Sequence, residues 1–172
     1  MSLREYKKKR QFDKTKEPKP LPAASKAKNL FVIQKHKARS LHYDFRIEVG
    51  KSLKSWAVPK GLSKSTRDKR LAVQTEDHPL AYAKFEGKIP KGEYGAGTVQ
   101  MWDIGKYQNL KNRSLRTCLK EGRVELWLEG KRFCGGYALV RMRDKNWLLI
   151  KMNDKKIMER KDARKSTPKK KC

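Results

Sequence analysis

Apolar and polar side chains alternate most regularly between residues 41 and 48. The odd-numbered positions are apolar or aromatic and the even-numbered positions are polar and ionisable: Leu41, Tyr43, Phe45 and Ile47 against His42, Asp44, Arg46 and Glu48. Because successive side chains of a β-strand point to opposite faces, this pattern predicts a strand with one face in a core. The other face carries an imidazole, a carboxylate and a guanidinium in a row, which predicts a binding site.

Similar short runs, bounded by turn-forming residues, predict further strands: Asn29–His36, Leu53–Val58, Arg70–Thr75, Thr98–Asp103, Arg123–Leu128, Phe133–Arg143 and Trp147–Met152. A helix is predicted at Ser114–Glu121, with Ser114 as its N-cap and Gly122 as its stop. A short helical turn is predicted in the loop after Asp77. The fold class is therefore mainly β, a small antiparallel β-barrel with one or two flanking helices, and a sandwich is the open alternative.

Composition divides the chain into three parts. Residues 1–28 form a basic N-terminal arm, and its segment Gln11–Pro18 is varied enough in sequence to dock partly on the rest. Residues 29–154 contain all the strand signals and are long enough to bury one core, which predicts a single domain. Residues 155–172 are predicted to be a basic C-terminal tail.

Charge indicates the class of partner. The chain has 45 Lys and Arg against 18 Asp and Glu, a formal net charge of +27. Such a surplus favours a polyanion, and nucleic acid is the first candidate because neutralised phosphates release counterions. There is no run of about 18 apolar residues and no apolar core of a secretory signal, so we expect a cytoplasmic protein without a membrane partner.

The cysteines agree with a reducing compartment. Cys118, Cys134 and Cys172 are widely spaced and form no CxxC pair. An odd number of such cysteines is typical of proteins with neither disulfides nor structural zinc. We therefore expect free thiols.

Two of the three histidines and one carboxylate lie close together in the chain, at His36, His42 and Asp44. His42 and Asp44 share a strand face, and His36 reaches the same point if residues 37–40 form a hairpin turn. Imidazoles and a carboxylate are good ligands for Mn, Fe or Zn, and three protein ligands leave positions open for catalysis. The spacing predicts a catalytic metal site, against the alternative of three unconnected polar residues.

Cations and the third histidine extend this candidate site. Arg46 continues the same strand face, and its planar guanidinium suits phosphate oxygens. Lys60 and Arg70 lie near strand ends, although most cations of so basic a chain are expected to be solvated charge. His78 lies in a polar loop, with Tyr82 four residues on, and is a candidate for protonating a leaving oxygen or stabilising the transition state.

Two other features predict no separate function. Gly92–Gly97 is rich in glycine but matches neither GxxxxGK[ST] nor GxGxxG between a strand and a helix, so a nucleotide-binding loop is excluded. We expect its glycines to permit tight turns beside the site. The tryptophans lie on predicted strands, which is more typical of core residues than of base-stacking platforms: Trp56, Trp102, Trp127 and Trp147.

Five motifs occur in one order: Gln34-Lys-His-Lys-Ala-Arg-Ser-Leu-His-Tyr-Asp-Phe-Arg46, Leu53-Lys-Ser-Trp-Ala-Val-Pro-Lys-Gly61, Asp68-Lys-Arg-Leu-Ala-Val73, Glu76-Asp-His-Pro-Leu80 and Ile89-Pro-Lys-Gly-Glu-Tyr-Gly-Ala-Gly97. Together they resemble the 3′-phosphoesterase domain of bacterial DNA ligase D. The resemblance extends from about Phe12 to Asp154. It implies a small β-barrel with flanking helices and a manganese-dependent hydrolase, with Co²⁺ or Zn²⁺ as alternative ions.

The resemblance also implies a reaction. Such domains remove a 3′-terminal ribonucleoside from a primer strand, leaving a 3′-phosphate, and then hydrolyse that phosphate to a 3′-OH. The implied context is DNA repair by non-homologous end joining. The implied partners are the DNA 3′ end of a primer-template duplex, a separate DNA ligase and Ku-type end-joining proteins, and a monomer is expected.

The functional positions of the family fall mostly on residues already identified. The metal ligands correspond to His36, His42 and Asp44, and the phosphate contacts to Arg46, Lys60, Arg70, His78 and Tyr82. The catalytic set implied is His36, His42, Asp44, Arg46, His78 and Tyr82. The resemblance adds Arg10, Glu17 and Glu76 in supporting roles. The family tends to have an acidic residue before the Phe of the arm, where this chain has Gln11, a departure that concerns the arm and not the metal site.

The chain has no nucleotidyl-lysine ligase motif and no polymerase-sized region, so we expect a stand-alone form. An alternative function is a non-catalytic basic module that binds nucleic acid and recruits a ligase. The net charge supports both functions equally, whereas the clustered histidines favour the enzyme.

Overall fold

The computed structural model describes residues 2–21, 28–160 and 172, and within them nine antiparallel strands form one sheet. They are β1 (Leu30–Lys37), β2 (Leu41–Val49), β3 (Ser52–Val58), β4 (Lys69–Pro79), β5 (Gly87–Ile89), β6 (Gly97–Asn109), β7 (Arg123–Glu129), β8 (Cys134–Arg143) and β9 (Asn146–Lys151). Eight close into a barrel in the order β1-β2-β3-β4-β9-β8-β7-β6, because β6 pairs back onto β1. β5 pairs only with the first residues of β6. The predicted antiparallel barrel is confirmed, and the sandwich is excluded.

The inside of the barrel contains the apolar face predicted for β2. Phe45 and Ile47 are fully buried in the main core cluster. Trp56 and Trp147 belong to the same cluster and pack edge to face, with ring centroids 5.6 Å apart. Leu41 is the exception, because it stands at the barrel end and is 48% exposed. The alternation therefore predicted the inner face correctly except at the first residue of the strand.

Short helices flank the barrel: α1 (Leu3–Lys8), α2 (Leu115–Glu121), α3 (Asp154–Met158) and a 3₁₀ helix at Leu80–Lys84. α2 confirms the predicted helix, since Ser114 accepts a hydrogen bond from the backbone N–H of Thr117 and Gly122 ends the helix at φ +84°. α1 was not predicted from the sequence. No helix in the described part of the chain is long and apolar enough to cross a membrane.

α3 continues the folded structure beyond residue 154, where the sequence placed the start of the tail. Ile157 of this helix is buried with Leu110 and Trp127 in a small cluster outside the barrel. This packing explains why Trp127 is buried although it does not belong to the main core. Residues 161–171 of the predicted tail lie outside the described residues.

The structure corrects two local expectations. His78 lies within β4, opposite Leu53 of β3, and not in a loop, because β4 continues through a bulge to Pro79. Cys134 and Cys172 form a disulfide, whereas the spacing predicted free thiols. The two cysteines are 38 residues apart in the chain and lie in no local motif, so the sequence carried no signal for the bond. Cys118 is free and buried.

Candidate metal and phosphate site

The polar row of β2 lies on the outer face of the barrel, yet three of its four residues are buried, and only His42 is partly exposed. Three segments outside the barrel pack on this face, where they form part of a second apolar cluster or of the pocket: the N-terminal arm, the 3₁₀ helix and the glycine-rich turn before β6. Tyr6 of α1 and Tyr82 of the 3₁₀ helix are at most 2% exposed there. As a result Asp44 and Arg46 are only 5% and 3% exposed. A polar face that would be solvated on an ordinary barrel is thus enclosed in a pocket.

Glu48, the last polar residue of the row, anchors the chain where it enters β1. Its carboxylate accepts hydrogen bonds of 3.1 Å from the backbone N–H groups of Lys28 and Leu30. The residue is buried, so it is not an ordinary surface partner of solvated lysines. Its role is to fix the start of the strand that carries His36.

His36, His42 and Asp44 meet at one point of the pocket. One ligand atom from each lies within 4.8 Å of the others. The Asp44 carboxylate is 3.3 Å from Nδ1 of His36 and 3.4 Å from Nε2 of His42. The hairpin produces this arrangement, because β1 and β2 pair with His36 directly opposite His42.

Backbone carbonyls orient both imidazoles. Nε2 of His36 lies 2.7 Å from the carbonyl oxygen of Gly95, and Nδ1 of His42 lies 3.0 Å from that of Ser40. When each of these nitrogens donates its proton to the carbonyl, the nitrogen beside Asp44 is the one that can lose its proton and bind a metal ion. Metal-binding histidines are held in this way. The donor set and its orientation therefore fit a divalent metal ion.

Asp44 is held in its ionised form. Burial alone would raise its pKa, but the Arg46 guanidinium, 3.2 Å away, and contacts to His36 and His42 hold the pKa well below its usual range. Burial lowers the pKa of His42, but the hydrogen bond and charge of Asp44 outweigh burial and raise it. An ionised carboxylate is the form that a metal ion requires.

Arg46 is fixed in place and keeps one donor free. Its Nε donates to Oε1 of Gln34 at 2.8 Å, and its guanidinium lies 4.8 Å from the ring centroid of Tyr82. Gln34 is itself held by the carbonyl oxygens of Tyr82 and Phe85. Nη1 of Arg46 is buried without a partner among the described residues, and so is the hydroxyl of Thr75, which lines the same pocket. Two unpartnered polar groups beside three ligands suit a bound anion.

His78 is a neutral imidazole that accepts a hydrogen bond. Its Nδ1 lies 2.8 Å from the carbonyl oxygen of Glu76, and its Nε2 lies 3.4 Å from Nη2 of Arg10. Because a guanidinium only donates, Nε2 is the acceptor and Nδ1 carries the proton. Burial lowers the pKa of His78 well below its usual value, and the charges of Arg46 and Arg10 lower it further.

The arm reaches the pocket through a chain of ion pairs. Arg10 donates to Glu17 at 2.8 Å and to Glu76 at 3.0 Å, and all three side chains are at least 95% buried. Tyr82 donates its hydroxyl proton to Glu17 at 2.7 Å, and Lys9 pairs with Glu76 at 3.1 Å. The three residues predicted as supporting positions, Arg10, Glu17 and Glu76, therefore form one connected network.

Lys60 and Arg70 do not line this pocket. Lys60 lines a separate cavity at the barrel end, with Tyr43 and Trp102. Arg70 lies on the same face of β4 as the core residue Ala72, and its guanidinium is 3.4 Å from Asp68. All the other predicted site residues belong to the pocket or to the network beside it.

Sequence reasoning assigned no role to four residues of this site. Gln34 and Gly95 occur in the motifs but gave no separate signal, and Thr75 and Lys9 gave none at all. Gly95 has φ +76°, a conformation that favours glycine, which agrees with the predicted tight turn beside the site. The functions of the other three depend on contacts between segments far apart in the chain.

Taken together, fold and pocket define a small closed β-barrel protein with a candidate metal and anion site on the outer face of its wall. The family follows from comparison with known proteins. The model of the DNA ligase D 3′-phosphoesterase domain matches residues 34–141, and the chain belongs to this family. The predicted family is thereby confirmed.

Three relatives show how far the similarity extends. The chain is 45% identical over 159 residues to the multifunctional non-homologous end joining protein LigD of Mycolicibacterium smegmatis, covering 90% of this chain and 21% of the relative. It is 47% identical over 156 residues to the multifunctional non-homologous end joining DNA repair protein LigD of Mycobacterium tuberculosis, covering 87% and 20%. It is 42% identical over 174 residues to the LigD protein of Pseudomonas aeruginosa, covering 96% and 20%. The chain thus spans about a fifth of the length of these relatives.

Proposed function

We propose that the protein is a metal-dependent 3′-phosphoesterase that heals DNA 3′ ends in non-homologous end joining. The observation that carries the proposal is the presence of two features in one pocket. One is the set of ligand atoms of His36, His42 and Asp44, and the other is the buried, unpartnered Nη1 of Arg46. A phosphate group suits both, because its oxygens bind a metal ion and a guanidinium at the same time. Family membership and the names of the relatives support the same function.

The metal ion proposed is Mn²⁺, held by His36, His42 and Asp44, with Co²⁺ or Zn²⁺ as alternatives. When bound, the ion withdraws charge from a phosphate oxygen. Arg46 donates from Nη1 to a second oxygen, and the nearby hydroxyl of Thr75 adds a further donor. Because Arg46 is fixed by Gln34, it binds without reorganisation as negative charge develops.

Tyr82 acts on Arg46 in this scheme. Its hydroxyl proton is already donated to Glu17, and its ring supports the guanidinium. We therefore assign Tyr82 to the positioning of Arg46, in place of the direct phosphate contact implied by the resemblance.

His78 accepts a hydrogen bond from Arg10 before substrate binds. A phosphate in the pocket adds negative charge, which raises the pKa of an imidazole nearby. We propose that His78 gains a proton at Nε2 only then, and that it donates this proton to the leaving oxygen. Nη2 of Arg10, released from His78, then becomes a donor for the phosphate, while Nε and Nη1 keep their bonds to Glu17 and Glu76.

The proposed substrates are DNA 3′ ends. The first reaction removes a 3′-terminal ribonucleoside and leaves a 3′-phosphate, and the second hydrolyses the phosphate to a 3′-OH. The net charge of +27 supplies affinity for the duplex that does not depend on sequence. A separate DNA ligase and Ku-type end-joining proteins are the proposed partners. Lys60 and Arg70, which lie outside the pocket, are proposed to contact DNA beyond the reacting phosphate.

The test measures turnover of two duplexes, one with a 3′-phosphate and one with a 3′-terminal ribonucleoside. We expect both to be processed with Mn²⁺ and neither in chelator. His42→Ala should abolish both activities and leave the melting temperature within a few degrees of the wild type. Full activity of this variant with Mn²⁺ would refute the proposal.

A matched pair of arginine variants controls for the loss of positive charge. Arg46→Ala and Arg143→Ala each remove one charge, but Arg143 is 87% exposed on the hairpin between β8 and β9. Only Arg46→Ala should lose turnover. Binding to both duplexes without any metal-dependent turnover would instead favour the non-catalytic, ligase-recruiting module.

A further inference from the structure

A cavity at one end of the barrel is lined by aromatic side chains and has a volume of about 210 Å³. Its walls include Tyr43, Trp102 and Phe133, and it opens where β2 begins and β8 starts. The volume is below the 300–1,000 Å³ typical of drug-sized ligands, but it has room for a single planar ring. Trp102 is the one tryptophan of the chain that is only partly buried.

Four cations of residues 28–160 lie at this cavity. The ammonium of Lys35 and the guanidinium of Arg132 lie 4.9 and 3.7 Å from the ring centroid of Trp102, and the ammonium of Lys64 lies 5.6 Å from that of Phe133. Lys60 lines the cavity itself. Among the described residues none of the four forms an ion pair with a carboxylate, in contrast to the cations of the arm. Their charge is available to a polyanion.

The cavity wall is fixed before any ligand arrives. The carboxylate of Asp103 accepts hydrogen bonds from the backbone N–H groups of Lys131, Arg132 and Phe133, at 2.9 to 3.1 Å. Nε of Arg132 donates to the carbonyl oxygen of Trp102 at 2.9 Å, which holds the guanidinium over the indole ring. These hydrogen bonds fix residues 131–133, between β7 and β8, against β6 in the absence of a ligand.

The cavity and the metal pocket lie back to back. Tyr43 lines the cavity, and its two neighbours in β2, His42 and Asp44, line the pocket on the opposite face. Leu41, the first residue of the same strand, is 48% exposed. The two sites are thus lined by adjacent residues of one strand.

We propose that the Trp102 cavity binds one unpaired base of a nucleic acid strand, while Lys35, Lys60, Lys64 and Arg132 bind its flanking phosphates. Aromatic walls that receive a base, together with unpaired cations along the backbone, are the features that single-strand-binding sites share. The proposal adds a binding role for Trp102, which the sequence predicted to be a core residue and which packs, partly buried, against the main core cluster. It rests on the proposed function only for the choice of DNA as the polyanion.

The experiment measures binding of a short single-stranded oligonucleotide without a 3′-phosphate, in chelator and at low salt. A second oligonucleotide carries the same phosphates but abasic sites in place of bases. We expect the first to bind roughly tenfold or more tightly than the second, because stacking of one base contributes about that factor. It should also quench the emission of Trp102, since the other three indoles are at most 1% exposed.

Trp102→Leu, which keeps an apolar side chain, should bind both oligonucleotides equally well. Trp102→Tyr, which keeps an aromatic ring, should retain the preference for the oligonucleotide that carries bases. Arg132→Ala should weaken binding, whereas Arg141→Ala, which removes a cation above the buried Trp147, should weaken it less. An undiminished preference for bases in Trp102→Leu would overturn the proposal. The binding experiment measures no turnover, so its failure would not affect the phosphoesterase proposal. Conversely, a lack of turnover in the activity test would not affect the proposal of base binding.

Discussion

The two faces of β2 are both buried, but by different means. On the inner face, Phe45 and Ile47 are covered by the other strands of the barrel and contain no group that needs a partner. On the outer face, Asp44 and Arg46 are covered by segments outside the barrel, and nearly every polar atom is hydrogen-bonded. The inner face thus stabilises the fold. The outer face forms a polar site in which some hydrogen-bonding groups still lack a partner among the described residues. The few unpartnered atoms on the outer face mark where a ligand is expected.

The largest effect should come from the inner face. Phe45→Ala should lower the free energy of unfolding by about 3–5 kcal/mol, because it removes a large ring and leaves a cavity. Urea denaturation measures this loss. The neighbouring variant Asp44→Asn should cost much less stability, and equal losses in the two variants would contradict the division between the faces.

For metal binding the order of the two variants should be reversed, with the larger loss in Asp44→Asn. We expect the affinity for Mn²⁺, measured by titration calorimetry, to fall by at least about a hundredfold, because a ligand contributes more than the 10–100-fold typical of residues behind it. Phe45→Ala should bind Mn²⁺ with nearly unchanged affinity while it remains folded. Unchanged binding in Asp44→Asn would remove this residue from the metal site.

A smaller loss of stability is expected in the docking of the N-terminal arm on the barrel. Glu17→Gln removes one of the two buried carboxylate partners of Arg10, which leaves Glu76 as its remaining partner and weakens the docking of the arm. The docking free energy should fall by about 1–3 kcal/mol, seen as faster hydrogen exchange in α1 with little change in the barrel strands. Glu5→Gln is the matched control, because Glu5 is exposed on the same helix. Global unfolding of Glu17→Gln would show that the arm is part of the core.

Acid should produce the smallest effect, again in the arm. Burial raises the pKa of Glu76, but its backbone hydrogen bond and the contacts to Arg10 and Lys9 outweigh burial and lower it. A carboxylate with a lowered pKa stabilises the docked state fully above its ordinary pKa, and the contribution is lost as the pH falls through the lowered value. Hydrogen exchange in α1 should therefore accelerate in that acid range, and Glu76→Gln should remove most of this pH dependence.

The sequence predicted those features that depend on neighbours in the chain. The alternation in β2 and the cap of α2 are local, and both are confirmed. His36 could be placed beside His42 because one hairpin joins them. Lys60 and Arg70 could not be separated from Arg46, because the face on which a cation lies depends on register and on strand bulges. The packing of α3 and the disulfide depend on contacts between residues far apart in the chain, 38 residues apart for the disulfide, which no local pattern encodes.

By itself, the sequence determined an antiparallel β fold, a polar face on β2 and a strongly cationic surface, because strand periodicity and charge are properties of the chain. Tertiary structure alone decided that this face is enclosed. Its burial requires the arm, the 3₁₀ helix and the glycine-rich turn to meet over β2, and only then do Arg10, Glu17 and Tyr82 join one network. Tertiary structure also placed Trp102 at the edge of the core, only partly buried, and beside cations that form no ion pair within the described part of the chain.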